Sequence, residues 1–198
     1  MERERTRVVV LGATGSIGTA AVEILAAAPE RFEVCGIAAG GNVERLGTQL
    51  GLFPDARFAV RDEAALSRLM ALDQDLGERC AGTGGRGIAA LLQDAEPDLV
   101  VNALVGITGL EPTVMALEAG CLVALANKES LVVGGDVIER IPAGAQRILP
   151  VDSEHYSLSC CLRGRREDAE ALILTASGGP FFGREQVDLE TVTVEEAL

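Results

Sequence analysis

The chain alternates short apolar runs with longer stretches of helical periodicity. Residues 8–11 are continuously apolar, the pattern of a parallel strand buried on both faces. A glycine-rich turn follows, then apolar positions at helical spacing over 16–28, closed by Pro29. Residues 32–38 predict a second strand, and Asn42 is placed to cap a helix running to about Leu50. Residues 58–60 predict a third strand, with Asp62 capping a helix through about Leu76. The segment RCAGTGGRG, from Arg79, reads as a turn-rich connector before a short helix over 88–95. A strand over 99–103, a helix over 109–119 stopped by Gly120, a strand over 122–126 and a last strand over 148–151 complete the series. This alternation predicts an α/β fold, a doubly wound parallel sheet of Rossmann type with helices on both faces. It weakens after about residue 150, so the expected organisation is one domain over 1–150 and the beginning of a second, α+β domain over 151–198. Thr193 and Glu196 match a capping box at a helix start, and such a helix needs more turns than Leu198 leaves room for. The expectation is therefore the front part of a longer protein.

Composition narrows the function classes. Of the 198 residues 48% are apolar, enough for a packed core. A net charge of −13 argues against non-specific nucleic-acid binding, which uses a basic face. An anionic ligand must then be held by backbone amides and a few local cations. The five cysteines (Cys35, Cys80, Cys121, Cys160 and Cys161) are odd in number and form no C-x-x-C pair, which reads as reduced thiols in a cytoplasmic protein. No apolar run reaches the ~18 residues of a membrane span, and MERERTR leads straight into a strand without the apolar core of a signal peptide.

The turn VVVLGATGSIG places Gly12, Gly15 and Gly18 between the first strand and the first helix. The spacing is G-x-x-G-x-x-G rather than the commoner G-x-G-x-x-G. In this position a tight turn brings backbone amides to a pyrophosphate, and the helix N-terminus adds positive potential. Thr14, Ser16 and Ile17 carry the amides and hydroxyls expected to reach the phosphates. After the second strand the sequence reads AAGGN, with no carboxylate for a ribose 2′-OH, while Asn42 opens a helix with Arg45 in its first turn. That combination suits a 2′-phosphate and leans towards NADP(H) over NAD(H); as an ordinary helix residue Arg45 would simply be solvated.

LPVDSEH places Asp152 and Glu154 two positions apart, beside Ser153 and the single histidine, His155. In an extended segment residues i and i+2 face one side, so the two carboxylates are expected to face one cation. Oxygen ligands suit Mg²⁺ or Mn²⁺; the same spacing also fits a solvated loop. Lys128, in LANKESLV, follows an apolar strand, where doubly wound sheets bind ligands, and this draws attention to Asn127, Lys128 and Glu129. The small-residue loop TASGGPF presents Ser177 and backbone amides to a possible phosphate, or is an ordinary turn before Pro180.

Taken in order, GATGSIG, ALVGITGLEPT, LANKESLV, LPVDSEH and LTASGGPF resemble the 1-deoxy-D-xylulose 5-phosphate reductoisomerase family, over about residues 8–181. The resemblance implies an NADPH-dependent, divalent-metal-dependent oxidoreductase that rearranges and reduces 1-deoxy-D-xylulose 5-phosphate to 2-C-methyl-D-erythritol 4-phosphate, in isoprenoid biosynthesis. It implies that residues 1–150 bind NADPH and that 151–198 begin the catalytic, metal-binding domain. Thr14, Gly15, Ser16 and Ile17 would bind the pyrophosphate, Gly40, Gly41 and Asn42 would border the adenosine phosphate, and Asn127 and Glu129 would lie near the nicotinamide. Lys128 and Ser153 would contact substrate oxygens, Asp152 and Glu154 would ligate Mg²⁺ or Mn²⁺, His155 would belong to the substrate pocket, and Ser177 would bind the substrate phosphate. Lys128, Glu154 and His155 are the implied catalytic residues, and Glu154 would also touch substrate. The implied partner is a sugar phosphate, with no nucleic acid and no membrane, in a homodimer when full length. Two departures stand out. Gly41 replaces the basic or hydroxyl residue often found near the 2′-phosphate, and this chain has no tryptophan, although the family carries one on an active-site loop further along. The alternative expectations are a non-catalytic NADP(H)-binding fragment, or a semialdehyde dehydrogenase, whose cysteine nucleophile Cys160 and Cys161 have no evident setting to supply.

Overall fold

The computed structural model describes residues 5–164, 166–175, 178–184 and 191–197. The chain divides into two compact units, Met1–Asp152 and Ser153–Leu198.

The first unit is a seven-stranded parallel sheet with helices on both faces, in the order β4-β3-β2-β1-β5-β6-β7. Its strands are β1 (Thr6–Leu11), β2 (Phe32–Ala39), β3 (Arg57–Val60), β4 (Cys80–Thr83), β5 (Leu99–Asn102), β6 (Leu122–Leu125) and β7 (Ile148–Pro150). Between them run α1 (Ser16–Ala26), α2 (Val43–Leu52), α3 (Glu63–Leu72), α4 (Gly84–Ala95), α5 (Leu110–Glu118) and α6 (Glu129–Arg140).

Strand alternation divides the apolar runs into two cores. Val8 and Val10 join Val22 and Leu25 of α1, Leu46 and Leu50 of α2, and Leu69 of α3. Val9 and Leu11 face the opposite way, with Leu91 of α4, Leu117 of α5 and Ile138 of α6. A strand buried on both faces has no polar side, which is why the runs are continuously apolar. One bulge interrupts the register of β1 with β2, between Val8 and Val9. There Gly36 leaves room for Leu91, whose Cδ1 is 2.9 Å from where a Cβ would stand.

Several expectations are corrected. The stretch expected as a connector from Arg79 is strand β4 running directly into α4, which begins at Gly84 rather than at residue 88. The helix expected to reach Leu76 stops at Leu72. Asp73 turns extended there, and its side chain accepts from the Asp75 amide at 3.0 Å to open a separate 3-10 segment, Gln74–Arg79. Helix α6 had no counterpart in the predicted elements.

The second unit contains α7 (Ser153–Leu162), a 3-10 turn (Arg166–Asp168) and α8 (Val194–Ala197). The capping box is present: the Thr193 amide donates to Glu196 Oε2 at 3.0 Å, and the Glu196 amide donates to Thr193 Oγ1 at 3.3 Å. Among the described residues no helix is long and apolar enough to cross a membrane.

Leu91 is fully buried. Leu91→Ala is expected to lower the unfolding free energy by ~2–5 kcal/mol. Urea denaturation, comparing midpoints at constant slope, checks this.

Candidate functional site

The order of the sheet reverses at β1, which has β2 on one side and β5 on the other. The chain leaves β1 for one face and β5 for the other, so a crevice opens at their carboxyl ends. A cavity of about 480 Å³ occupies it.

The glycine turn forms the floor of this crevice. Gly12 has φ +79°, and a Cβ there would stand 2.4 Å from the Ala103 carbonyl oxygen after β5. Gly18, one turn into α1, would place a Cβ 2.2 Å from the Gly12 oxygen. Neither position admits a side chain, so α1 starts as close to β1 as backbone allows. The Gly12 and Ala13 amides both donate to the Ala38 oxygen, at 2.9 and 3.0 Å, tying the turn to β2. Gln49 of α2 reaches across, its Nε2 donating to the Ala13 oxygen at 2.8 Å, and Arg45 Nη1 donates to the Thr14 oxygen at 3.2 Å. The first amides of α1, at Ser16 and Ile17, have no intrahelical acceptors and sit at the positive end of the helix.

Thr14, Gly15 and Gly40 line the cavity. Ser16, Ile17, Gly41 and Asn42 adjoin those residues in the chain without lining it themselves. Asn42 is the N-cap of α2, its side chain accepting from the Arg45 amide at 3.0 Å. Further lining comes from Arg61 after β3, from Gly84, Gly85 and Ile88 of α4, from Leu104 and Val105 after β5, and from Glu111 of α5, the last three within the motif ALVGITGLEPT. None of these was singled out individually from the sequence. Arg61 was within reach of the reasoning, because it directly follows a predicted strand at the sheet edge where ligands bind.

Asn127, Lys128 and Glu129 do not line this cavity. The Asn127 side chain is buried and committed to the protein. Its Nδ2 donates to the Leu104 and Gly106 oxygens at 2.8 and 2.7 Å, and its Oδ1 accepts from the Ser130 amide at 2.9 Å and from the Ser130 hydroxyl. Asn127 therefore positions the loop after β5 against the start of α6. Lys128 and Glu129 are exposed at the N-terminal end of that helix.

After β7 the geometric expectation is corrected. Residues 153–162 are helical rather than extended, so strand alternation does not bring Asp152 and Glu154 to one side. Asp152 is buried in the first unit. Glu154 lies in the first turn of α7, where its Oε2 accepts from the Ser153 hydroxyl at 2.9 Å, and His155 is half-buried in the same turn. Among the described residues no group of three or more His, Cys, Asp or Glu side chains gathers as a metal centre. Ser177 lies outside the described residues.

Parallel strands in this order, with a glycine turn at the central strand and a cleft above it, define a Rossmann-like α/β protein. Comparison with known proteins narrows the class. The sequence model of 1-deoxy-D-xylulose 5-phosphate reductoisomerase matches residues 8–135, and that of the same protein's C-terminal domain matches 148–198. The chain belongs to the 1-deoxy-D-xylulose 5-phosphate reductoisomerase family. It is 48% identical over 198 residues to the Mycolicibacterium smegmatis reductoisomerase, covering 99% of this chain and 48% of the relative. With the Nocardia farcinica reductoisomerase it shares 50% identity over 193 residues, covering 96% and 46%. The Zymomonas mobilis reductoisomerase solved in complex with NADPH superposes with a TM-score of 0.71 at 34% identity, covering 98% of this chain and 51% of that one. A reductoisomerase solved with NADPH, fosmidomycin and magnesium gives a TM-score of 0.73 at 29% identity, covering 97% and 50%. The chain spans about half the length of the curated relatives it matches.

All five cysteines are free thiols. Burial pushes the Cys35 thiol up to about 11, against the opposing pull of Arg7, and raises Cys121 as well. Cys160 and Cys161 are exposed. Iodoacetamide at about pH 8 is expected to label Cys160 and Cys161 in the native chain, leaving Cys35 and Cys121 unmodified until denaturant is added. Peptide mass spectrometry checks the order.

Proposed function

We propose that this chain supplies the NADPH-binding domain, over residues 1–150, and the start of the catalytic domain, over 151–198, of a reductoisomerase. The whole protein would convert 1-deoxy-D-xylulose 5-phosphate to 2-C-methyl-D-erythritol 4-phosphate. The observation carrying the cofactor half is the glycine turn, closed to side chains at Gly12 and Gly18, beside a cavity at the switch point. Thr14, Gly15, Ser16 and Ile17 are assigned to the pyrophosphate: Thr14, Ser16 and Ile17 offer backbone amides, two hydroxyls and a helix N-terminus, and Gly15, whose amide donates to the Gly12 oxygen at 3.1 Å, offers close approach. Gly40, Gly41 and Asn42 form the border expected for the adenosine phosphate. The apolar walls of Ala38, Ala39, Val60 and Ile88 suit a flat ring system.

For the catalytic half, the reading assigns Asp152 and Glu154 to a divalent cation, Mg²⁺ or Mn²⁺. Both donors are carboxylate oxygens, a set that suits either ion. When bound, such a cation supplies Lewis-acid stabilisation of charge developing on substrate oxygens, and NADPH supplies hydride. The chain's own residues do the placing. Lys128 carries a cation to a substrate oxygen from the N-terminal end of α6. Ser153 offers a hydroxyl, His155 a hydrogen-bonding edge of the substrate pocket, and Ser177 a hydroxyl to the substrate phosphate. The packing of Asn127 limits its part on the nicotinamide side to holding the loop that Leu104 and Gly106 belong to, with Glu129 exposed beside it. The free thiols support a reducing, cytoplasmic setting. The homodimeric state rests on the family resemblance.

Titrating the 198-residue chain with NADPH, read by nicotinamide fluorescence, is expected to show saturable binding; a flat titration overturns the cofactor assignment. In a chain extended to the length of its relatives, Asp152→Asn or Glu154→Gln is expected to weaken Mn²⁺ binding and lower turnover by more than about a hundredfold. Turnover retained in either variant removes that residue from the ligand set.

A further inference from the structure

The chain carries a net charge of −13, yet three guanidiniums gather around the loop that follows β2 and the glycine turn bonded to that strand. Arg45 bonds the Thr14 oxygen, and Arg68 Nη2 donates to the Gly41 oxygen at 3.0 Å. The third, Arg61, is set by strand register. Ala39 of β2 pairs with Val60 of β3, so Gly40 and Arg61 are the residues with which the two strands leave the sheet, side by side. Both line the cavity.

Arg61 lies against position 41, within van der Waals contact of where a side chain there would begin. A Cβ on Gly41 would meet Arg61 Nη2 at 3.5 Å and Nη1 at 3.6 Å. Asp62 accepts from Arg61 Nε at 2.8 Å, which fixes the plane of the guanidinium. The same bond is the main reason the Asp62 carboxyl lies below its ordinary range, with the Ala65 amide adding to it. Nη1 and Nη2 have no acceptor among the described residues. Two parallel N–H groups on one edge are the geometry that grips a phosphate bidentately. The one carboxylate lining the cavity among the described residues is Glu111, which lies against Gly85, 3.7 Å from where a Cβ there would stand. A dianion is therefore directed to the Gly41 side.

We propose that Arg61, supported by Arg68, is the specificity residue that distinguishes a 2′-phosphorylated dinucleotide from its unphosphorylated counterpart, from its place beside Gly41. This rests on the dinucleotide reading given under Proposed function and adds the residue that sets the choice within it. The cation comes from the neighbouring strand rather than from the loop itself, and a carboxylate for a ribose 2′-OH is absent at the end of β2.

The test uses the 198-residue chain with NADPH, NADH, 2′,5′-ADP and 5′-AMP, titrated by calorimetry in the wild type, Arg61→Gln, Arg68→Gln and Arg61→Lys. In Arg61→Gln the affinities for NADPH and 2′,5′-ADP are expected to fall roughly tenfold, and the ratio of NADPH to NADH affinity to fall with them. Arg68→Gln lowers that ratio by a smaller factor, and Arg61→Lys restores part of it. The wild-type preference shrinks as salt is raised. Melting curves of each variant separate a lost contact from a lost fold, and Arg61→Lys carries the comparison should Arg61→Gln unfold. A ratio unchanged in a folded Arg61→Gln overturns the role of Arg61 and leaves dinucleotide binding standing. Failure of the wild type to bind either dinucleotide overturns both.

Discussion

Gly12 and Gly18 meet across the first turn with no atom between their backbones, and the rest of the first unit is arranged around that contact. The Gly12 oxygen fills the space where any side chain at position 18 would go, and Ala103 fills the space at position 12. Two consecutive elements, β1 and α1, and the distant chain leaving β5 thus approach to backbone separation at one point. Packing elsewhere in the sheet is a matter of apolar volume and tolerates exchange of similar residues. Here the constraint is absolute in kind, because a backbone oxygen cannot step aside as a flexible side chain can.

The cavity follows from this contact. With α1 drawn tightly onto the end of β1, Gly12, Thr14 and Gly15 of the turn line the cavity together with Gly40, Arg61, Gly84 and Leu104, which follow the neighbouring strands. Polar bonds then hold the floor rigid. Two amides of the turn share the Ala38 oxygen, and Gln49 and Arg45 reach in from α2 to the Ala13 and Thr14 carbonyls. The amides of Ser16 and Ile17, at the start of α1, are left without intrahelical acceptors. A site built in this way recognises charge through backbone, which explains how a chain with a large excess of acidic residues can present a cradle for an anion.

The central strands, their helices and the glycine turn were legible in the sequence because doubly buried strands leave no polar position to blur the pattern. Strand β4 was not. It lies at the edge of the sheet, its residues Cys80–Thr83 are only half-buried, and the glycines around it read as a turn. The start of α7 was misread for another reason. Asp, Ser and Glu at 152–154 are the residue types of a helix N-terminus, and the same carboxylates were read as ligands in an extended segment. Asn127 was legible as a special position but not in its role. A polar residue at the end of an apolar strand looks like a ligand contact, and only the coordinates show all its hydrogen-bonding groups spent on Leu104, Gly106 and Ser130. The place of Arg61 after a strand was legible, but its position beside Gly41 was not, because that loop follows another strand and cross-strand register is not written in local pattern.

The position of β1 at the centre of the sheet has a consequence for how the chain is born. Its two neighbours are synthesised at different times. Strand β2 follows at once, but the bond from the Arg7 amide to Asp98 spans 91 residues. At ~5–20 residues per second of ribosomal synthesis, roughly 5–20 seconds pass before that partner has been made. For that interval the first strand of the protein has one unsatisfied edge, so the nascent chain depends on its early helices, or on a chaperone, to keep that edge from pairing with a stranger.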